Sequence, residues 1–365
     1  NAQSQKDKVV DETNRSSFEQ EFSFSRNISW SVDIWGKLSD EHESSILSAE
    51  QQQNNLLWAK RLLVAEAIES WIEYWTLNQQ VADLEDATEI QNRLSASSYE
   101  GYQDGLIAYK DYLLQKNAEM TNLIELGNSR LEKTKAKYRL NILRGQSPTD
   151  DFTHVETISA ELIVPITEQV SALALVNRPD IRKAYNEIEI LDKETSAAYK
   201  ALLPQLNLNG ALFKSGSSVD HAFDQGVLWR FVGGLAQPIF HGGSLKARAD
   251  QKSSETKSAW WQYQHVVLQA LIEVENSLSQ EQTLYQDIEQ TQAVLDNHIK
   301  IKNNHADLYL QGETTIDVFL QSKIMALDAK TKLVEKQGDY LKNRVYFALA
   351  LGEPLENITG TTNEY

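Results

Sequence analysis

One segment of the chain alternates between apolar and polar residues at every position. From Phe22 to Ile34 the even-numbered residues are apolar and the odd-numbered residues are polar, with Arg26 as the one exception on the apolar side. Successive residues of a strand face opposite sides, so this segment predicts a β-strand. The span exceeds the roughly 9 to 11 residues of a tilted transmembrane strand, and Trp30 and Trp35 suit a membrane interface. A transmembrane strand is therefore predicted, with a strand of a soluble antiparallel sheet as the alternative.

The same alternation returns in two shorter segments of the second half. One begins at Leu206, and the other contains Trp229, a third aromatic residue suited to a membrane interface. The polar residues 214–225 between these segments predict a loop. A few strands cannot close a lipid-facing barrel, so the membrane interpretation requires that several copies of the chain share one sheet.

Two long segments show the apolar spacing that is typical of helices. Residues 37–100 and 244–311 contain neither Gly nor Pro. At about 1.5 Å per residue, each could extend roughly 100 Å as a single helix. Apolar residues recur at steps of three and four, which predicts helices that pack side by side. They include Val64, Ile68 and Trp71 in the first segment and Val267, Leu271 and Val274 in the second, with Ala65, Ala67 and Ala270 widening the stripe.

The glycines around these segments recur at a fixed distance. Gly105 and Gly312 follow the two long segments and predict turns, each joining the long helix to an antiparallel returning helix. An internal duplication of strand, long helix, turn and returning helix is therefore predicted. The offset of 207 residues relates Gly36, Gly105 and Gly145 to Gly243, Gly312 and Gly352.

Composition and charge exclude several classes of protein. The net charge of -17 over 365 residues, without a clustered basic face, argues against a nucleic-acid partner. The chain has no cysteine, so disulfides and thiolate metal sites are excluded. No apolar run approaches 18 residues and no leader stands at Asn1, so neither a membrane-spanning helix nor a signal peptide is predicted.

No pattern of catalytic or metal-binding residues emerges. The chain contains no Gly-x-Ser-x-Gly elbow, no Gly-rich phosphate loop and no His-Glu-x-x-His, so we predict that it is not an enzyme and needs no cofactor. His298 and His305 lie seven residues apart on one helical face and could bind a metal only across subunits. A surface or seam position is the commoner role for such histidines, and no metal is predicted.

Four segments together resemble one known family. Trp30–Lys37 is similar to a strand end before a long helix, and Asn177–Arg182 contains the helix start Arg-Pro-Asp-Ile. Thr195–Leu206 resembles a helix that enters a strand at a proline, and Gly233–Gly243 matches a Pro-Ile-Phe and double-Gly element. With these segments in order, the chain from about Phe18 to Glu356 resembles the TolC-type outer membrane efflux proteins, the outer membrane factors of tripartite drug efflux pumps.

The resemblance implies a fold and a function. The fold is mainly α with a small transmembrane β part, in which long coiled helical hairpins form a trimeric α-barrel continuous with a shared outer-membrane β-barrel. The function is that of a passive exit duct for drugs and other small molecules, reaching from the bacterial outer membrane into the periplasm. A periplasmic adaptor and an inner-membrane transporter open it at its periplasmic tip, and outer-membrane lipid surrounds it. The alternative is a soluble periplasmic adaptor or another coiled-coil structural protein.

These features divide the chain into seven parts. The family pattern also has an earlier helix and a first strand, so we expect three strands here instead of four, with Asn1–Ser17 in a surface loop. Many relatives carry a lipid-bearing Cys, and its absence leaves lipid anchoring open. The parts are 1–35, surface loop and strand; 36–145, first helical hairpin; 146–178, equatorial connector; 179–205, helix of the second repeat; 206–243, two strands with a loop; 244–352, second hairpin; and 353–365, tail.

Acidic residues near the hairpin turns are candidates for the periplasmic entrance. The family often has acids beyond the second turn, where Asp317 is the nearest candidate and Gln321 stands about where an acid is frequent. Asp111 occupies the comparable zone of the first hairpin. Threefold symmetry would turn any such lumen-facing carboxylate into a ring that concentrates cations. The alternative for each acid is a solvated helix face.

Overall fold

The computed structural model describes residues 2–10, 16–151, 175, 177–216 and 226–353, with side chains from Ser23 onward. These residues form nine elements. The strands are β1 (Ala2–Val10), β2 (Ser16–Val32), β3 (Gln205–Gly216) and β4 (Leu228–Ala236). The helices are α1 (Lys37–Gln103), α2 (Tyr109–Leu143), α3 (Pro179–Lys200), α4 (Ser244–Leu310) and α5 (Ile316–Leu351).

The chain divides into two compact units. The first, which we call the sheet unit, consists of Asn1–Gln53 and Lys183–Gln264. The second, the hairpin unit, consists of Asn54–Arg182 and His265–Tyr365. Within the described ranges, none of the helices combines the length and the apolar composition that a bilayer crossing requires.

The sheet has four antiparallel strands in the order β1-β2-β3-β4. The predictions of three strands and of a surface loop over residues 1–17 are therefore wrong. β1 pairs with β2 from Ala2 opposite Phe24 to Val10 opposite Ser16. Its sequence, AQSQKDKVV, has no apolar alternation, so backbone pairing forms a strand that the period of two does not reveal.

The bounds of the other strands also differ from the prediction. β2 begins at Ser16 and ends at Val32, so it starts earlier than the alternating segment and stops before Ile34. β3 runs to Gly216 and includes Lys214, which the polar composition had assigned to a loop. Hydrogen bonding to β2 continues beyond the apolar part of each strand, because polar side chains do not prevent ladder pairing.

In the sheet unit, polar side chains join α3 to both long helices. Lys200 Nζ lies 2.5 Å from Asp40 Oδ2 of α1, and Lys252 Nζ of α4 lies 2.8 Å from Glu194 Oε2 of α3. Small residues allow close packing, since Ala197 of α3 and Ala249 of α4 are both buried. As predicted, α3 begins at Pro179 with Asp180 in its first turn. Most of the expected 146–178 connector lies outside the described residues.

In the hairpin unit, α5 packs against both long helices. Leu341 and Val345 of α5 share a core cluster with Ile72 of α1, while Leu333 and Tyr340 of α5 cluster with residues of α4. A third cluster joins α1 to α2. The helices therefore follow the order α2-α1-α5-α4, which places the two hairpins side by side through α1 and α5.

The predicted apolar stripe is shifted by one residue in places. Val64 and Leu271 are 40% and 38% exposed, whereas Ala65 and Ala270 are buried. Alanine has the smaller side chain, so it occupies the positions where neighbouring helices approach most closely.

The two hairpins match in their dimensions. α1 and α4 each contain 67 residues, and α2 and α5 contain 35 and 36. The matching lengths support the predicted duplication, which remains an interpretation of the repeated pattern. All six repeated glycines have a positive φ: 74° at Gly36, 71° at Gly105, 70° at Gly145, 78° at Gly243, 77° at Gly312 and 71° at Gly352.

Candidate channel surfaces and hairpin turns

The first hairpin turn is built around Gly105. The Gly105 N–H donates to the carbonyl of Tyr102 at 3.0 Å, and the Leu106 N–H donates to that of Gly101 at 2.8 Å. This pair of bonds is the Schellman motif, which satisfies the last carbonyls of a helix and places the following residue in the left-handed region. The φ of +71° at Gly105 fits that motif.

The second turn repeats the first bond for bond. The Gly312 N–H donates to the carbonyl of Tyr309 at 3.0 Å, and the Glu313 N–H donates to that of Leu308 at 2.9 Å. A Cβ at Gly312 would meet no atom within 4 Å, so backbone conformation and not space requires glycine there. The structure thus places Gly105 and Gly312 at the two chain reversals, in the same conformation.

The first turn carries a cluster of four tyrosines that sequence reasoning missed. Tyr99 and Tyr112 have ring centroids 5.3 Å apart, and those of Tyr102 and Tyr109 are 5.1 Å apart. Leu106 at the tip is 79% exposed. The positions, three residues apart on each side of the turn, were the available signal because residues at i and i+3 share a helical face.

The second turn has a smaller aromatic pair. The rings of Tyr309 and Phe319 stack across α4 and α5 with centroids 6.4 Å apart. Leu310 is 81% exposed beside them. Each turn therefore combines an aromatic contact between its two helices with an exposed leucine at the tip.

The three entrance candidates lie in the first turns of the returning helices or just beyond. Asp317 is in the first turn of α5 and is half-buried, and its Oδ1 accepts no hydrogen bond from the part of the protein that the structure describes. Gln321 is also half-buried, one turn further along α5. Asp111 is exposed in the first turn of α2. Among the described residues, no hydrogen bond or ion pair joins Asp111 to Asp317.

Two polar contacts join the hairpins through α1 and α5. Lys330 Nζ lies 2.5 Å from Asp83 Oδ1, and the Tyr346 hydroxyl donates to Glu69 Oε2 at 2.9 Å. Burial raises the pKa of Glu69 above its usual value, and repulsion from Glu66 adds to that rise, while the bond from Tyr346 opposes it.

A buried arginine binds the ends of several helices in the hairpin unit. The Arg178 guanidinium donates to Asp180 Oδ2 at 2.7 Å, to Glu273 Oε2 at 2.8 Å and to the carbonyl of Ala350 at 2.9 Å. It also lies 5.3 Å from the ring of Trp58. Burial would lower the pKa of Arg178, but the hydrogen bonds and charges of the two carboxylates hold it above its usual value. Sequence reasoning found the Arg-Pro-Asp segment but not these partners.

The sheet presents two different faces. On one face, Trp30 pairs with Leu208, and Leu212 pairs with Trp229. Trp30 is 63% exposed and Trp229 is 76% exposed. On the other face the Ser31 hydroxyl donates to Asn207 Oδ1 at 2.7 Å. One face is thus apolar and open while the other carries hydrogen-bonding groups.

The remaining aromatic candidate lies just beyond the sheet. Trp35 follows the end of β2, and its indole Nε1–H donates to the carbonyl of Pro204 at 2.8 Å. The side chain is 46% exposed. Trp35 therefore fixes the passage from β2 to α1 against the start of β3, with part of its ring available to the surroundings.

Known proteins with similar sequences are efflux proteins. The family described as outer membrane efflux protein matches residues 170–353, which is half of the chain. A solvent efflux pump outer membrane protein of Pseudomonas putida, SrpC, is 21% identical over 332 residues, covering 88% of this chain and 69% of that protein. The multidrug resistance outer membrane protein MdtQ of Escherichia coli is 22% identical over 343 residues, covering 90% and 69%.

Solved structures share the fold. The CmeC outer membrane channel of Campylobacter jejuni has a TM-score of 0.83 at 19% identity, over 96% of this chain and 76% of that one. The outer membrane protein VceC of Vibrio cholerae has a TM-score of 0.81 at 19% identity, over 97% and 86%. The predicted fold class and the predicted place in the outer membrane are both confirmed. This chain belongs to the outer membrane efflux protein family.

Proposed function

We propose that three copies of the chain form a passive exit duct through the outer membrane for drugs and other small molecules. The observation that carries the proposal is the pair of equal hairpins, which close in the same Schellman turn beside a sheet with one exposed apolar face. The relatives' names, which include solvent and multidrug efflux, favour small organic molecules as the cargo. No catalytic role is proposed.

The sheet supports the trimer. Its outer strands, β1 and β4, each pair with one neighbour in the order β1-β2-β3-β4. Unpaired strand edges are not tolerated in lipid, and three such sheets joined edge to edge would give twelve strands in a closed barrel. The four strands would form each copy's share of that barrel, and residues 36–145 and 244–352 its share of a helical barrel.

We further propose that a periplasmic adaptor and an inner-membrane transporter act at the hairpin turns. The turns around Gly105 and Gly312 expose Leu106 and Leu310 beside aromatic rings, which offers apolar contacts to an adaptor. Separation of α5 from α1 would widen the entrance in the manner of an iris. The energy for transport would come from the inner-membrane partner.

In a trimer the acids near the turns would form rings at the entrance. Asp317 is the first candidate, because its half-buried carboxylate would otherwise have no partner among the described residues. Gln321 and Asp111 would line the same zone without adding a buried charge. A ring of three carboxylates attracts cations and raises their share of the current.

The conductance of the purified chain in a planar bilayer tests the proposal. We expect trimers that conduct ions with a preference for cations, and we expect Asp317→Ala to reduce that preference severalfold. Glu132→Ala is the matched control, because Glu132 is an exposed acid paired with Lys135 within α2. An unchanged preference in Asp317→Ala would remove this residue from the entrance. A detergent-free, monodisperse monomer would instead support the soluble adaptor.

A further inference from the structure

Two cations stand on the otherwise apolar face of the sheet. Arg26 of β2 pairs with Leu212, and Lys214 of β3 pairs with Phe24. Residues two apart in a strand share a face, so Arg26 lies on the same side as Ile28 and its diagonal neighbour Lys214 lies there too. Arg26 is exposed and Lys214 is half-buried.

No carboxylate of the neighbouring strand segments can balance these charges. Residues 23–32, 205–215 and 228–236 contain Arg26, Lys214 and Arg230 as their cations and neither Asp nor Glu. Arg230 belongs to the opposite, polar face, because it pairs with Ala211, which pairs with Asn27. The apolar face thus carries a local positive charge in a chain whose net charge is -17.

The position along the strands places Arg26 near the outer edge of the membrane. Arg26, Leu212 and Trp229 form one row across β2, β3 and β4. Arg26 precedes Trp35, where the sheet passes into α1, by nine residues, which is about the length of a tilted transmembrane strand. Arginine is costly in the middle of the hydrocarbon and tolerated near an interface, and tryptophan is enriched at interfaces. The row therefore fits the outer boundary of the bilayer.

We propose that Arg26 and Lys214 bind the phosphate group of a lipid in the outer leaflet. A guanidinium can donate two parallel hydrogen bonds to a phosphate, and an ammonium adds a compact charge beside it. The inference rests on the outer-membrane location of the family and on the lipid-facing orientation of the apolar side. It does not depend on how the entrance opens.

The neighbouring side chains suit the rest of a lipid. Ile28 is 70% exposed, Leu212 is 45% exposed and Trp229 is 76% exposed, all on the face that carries Arg26. Acyl chains can cover these apolar groups while the headgroup phosphate stays with the two cations. A free phosphate ion would leave the apolar groups without a partner, so the combination favours a phosphorylated lipid over the ion alone.

Lipid binding to the full chain in detergent tests this site. Native mass spectrometry would give the apparent Kd for phosphatidic acid, which carries a phosphate monoester, and for phosphatidylethanolamine as the comparison. We expect phosphatidic acid to bind more tightly. Each removed cation should weaken its binding about fivefold, first in Arg26→Gln and again in Arg26→Gln with Lys214→Gln. Arg26→Lys keeps the charge and should weaken binding less.

Arg230→Gln is the matched control, since it removes one cation from the opposite face. An Arg26→Gln chain that binds phosphatidic acid as tightly as the original would overturn the site, and so would an equal loss in Arg230→Gln. Displacement of the lipid by inorganic phosphate at equal concentration would show that the site takes the free ion instead. Should Arg26→Gln fail to fold, Lys214→Gln alone still tests the expected fivefold loss. Conductance in a planar bilayer should stay unchanged in these variants, which separates this inference from the proposed duct.

Discussion

Two glycines inside helices of the hairpin unit meet different surroundings. A Cβ added at Gly338 of α5 would lie 2.4 Å from Thr76 Oγ1 of α1, whereas one added at Gly127 of α2 would meet nothing within 4 Å. Thr76 cannot swing away freely, because it is branched at Cβ and its hydroxyl donates to the carbonyl of Ile72 at 2.9 Å. Gly338 is therefore required by the closeness of α1 and α5, and Gly127 is not.

Alanine substitutions at these two glycines should have opposite effects. Gly338→Ala should lower the free energy of unfolding by about 1–3 kcal/mol through overpacking. Gly127→Ala should raise it by about 0.5–1 kcal/mol, because alanine has the higher helix propensity. Guanidinium-induced unfolding of the solubilised protein measures both. Adding Thr76→Ala to Gly338→Ala should recover much of the loss, and a lack of recovery would contradict the contact.

Removal of the buried arginine should destabilise the hairpin unit. Arg178→Ala leaves the carboxylates of Asp180 and Glu273 without their cation, and breaking a buried ion pair costs about 3–5 kcal/mol. The exposed pair of Arg130 and Glu85 provides the control, since Arg130→Ala should cost no more than about 1 kcal/mol. The same unfolding measurement compares them. Equal losses would mean that Arg178 is not a structural anchor.

At this scale, the sequence reveals residues that act locally and hides those that act across the fold. Gly105 and Gly312 were predictable because a turn glycine is recognised from its neighbours in the chain. The partners of Arg178 were not, because Glu273 and Ala350 lie far from it in sequence and meet it only once the helices pack. Gly338 was likewise visible as an interruption but not as a contact with Thr76.

The contact between α1 and α5 should make the stability of the hairpin unit depend on pH. Glu69 has a raised pKa in the folded chain, so the folded state holds its proton more tightly than the unfolded state does. The contribution of Glu69 to stability is therefore greatest below its unfolded pKa of about 4.3 and declines as pH rises through the higher folded value.

Glu69→Gln tests this pH dependence. The amide oxygen can still accept the hydrogen bond from Tyr346 but carries no charge, so the variant should be more stable than the original chain at pH 7. The difference should vanish near pH 4, where Glu69 is protonated in both states. Thermal unfolding followed by circular dichroism at both pH values measures it. A constant difference, or a less stable variant at pH 7, would contradict the assignment.

Helices and strands differed in how well their elements could be predicted. The long helices were visible because their apolar stripe and lack of Gly and Pro persist over many turns. β1 was missed because its residues offer no apolar face, and its existence depends on pairing with β2. For the same reason the polar start of β2 and the end of β3 were assigned to loops.

The whole molecule should be a closed assembly of three chains joined through β1 and β4. The chain has no cysteine, so introduced cysteines report contacts cleanly. Gln3→Cys on β1 together with Leu228→Cys on β4 should give dimers and trimers with a flexible bis-maleimide, and nothing larger. Gln3 pairs with Ser23, and Leu228 pairs with Phe213, so both cysteines lie near the same level of the sheet.

An internal strand supplies the control for this cross-linking. Gln3→Cys with Asn209→Cys should give much less trimer, because β3 has neighbours on both sides within one chain. Gel electrophoresis after denaturation separates the products. A ladder that continues beyond three chains would indicate open association, and monomers alone would argue against shared sheets.

The tight contact of Gly338 with Thr76 has a mechanical consequence. Helices that touch backbone to side chain at one point cannot slide past each other there, but they can still turn about it. From Gly338 to the turn at Gly312 is 26 residues, or about 39 Å of helix. A rotation of about 10° at the contact would carry the far end through roughly 7 Å, by the geometry of a lever arm of that length. A small angular change in mid-helix is thus converted into a large displacement at the tip.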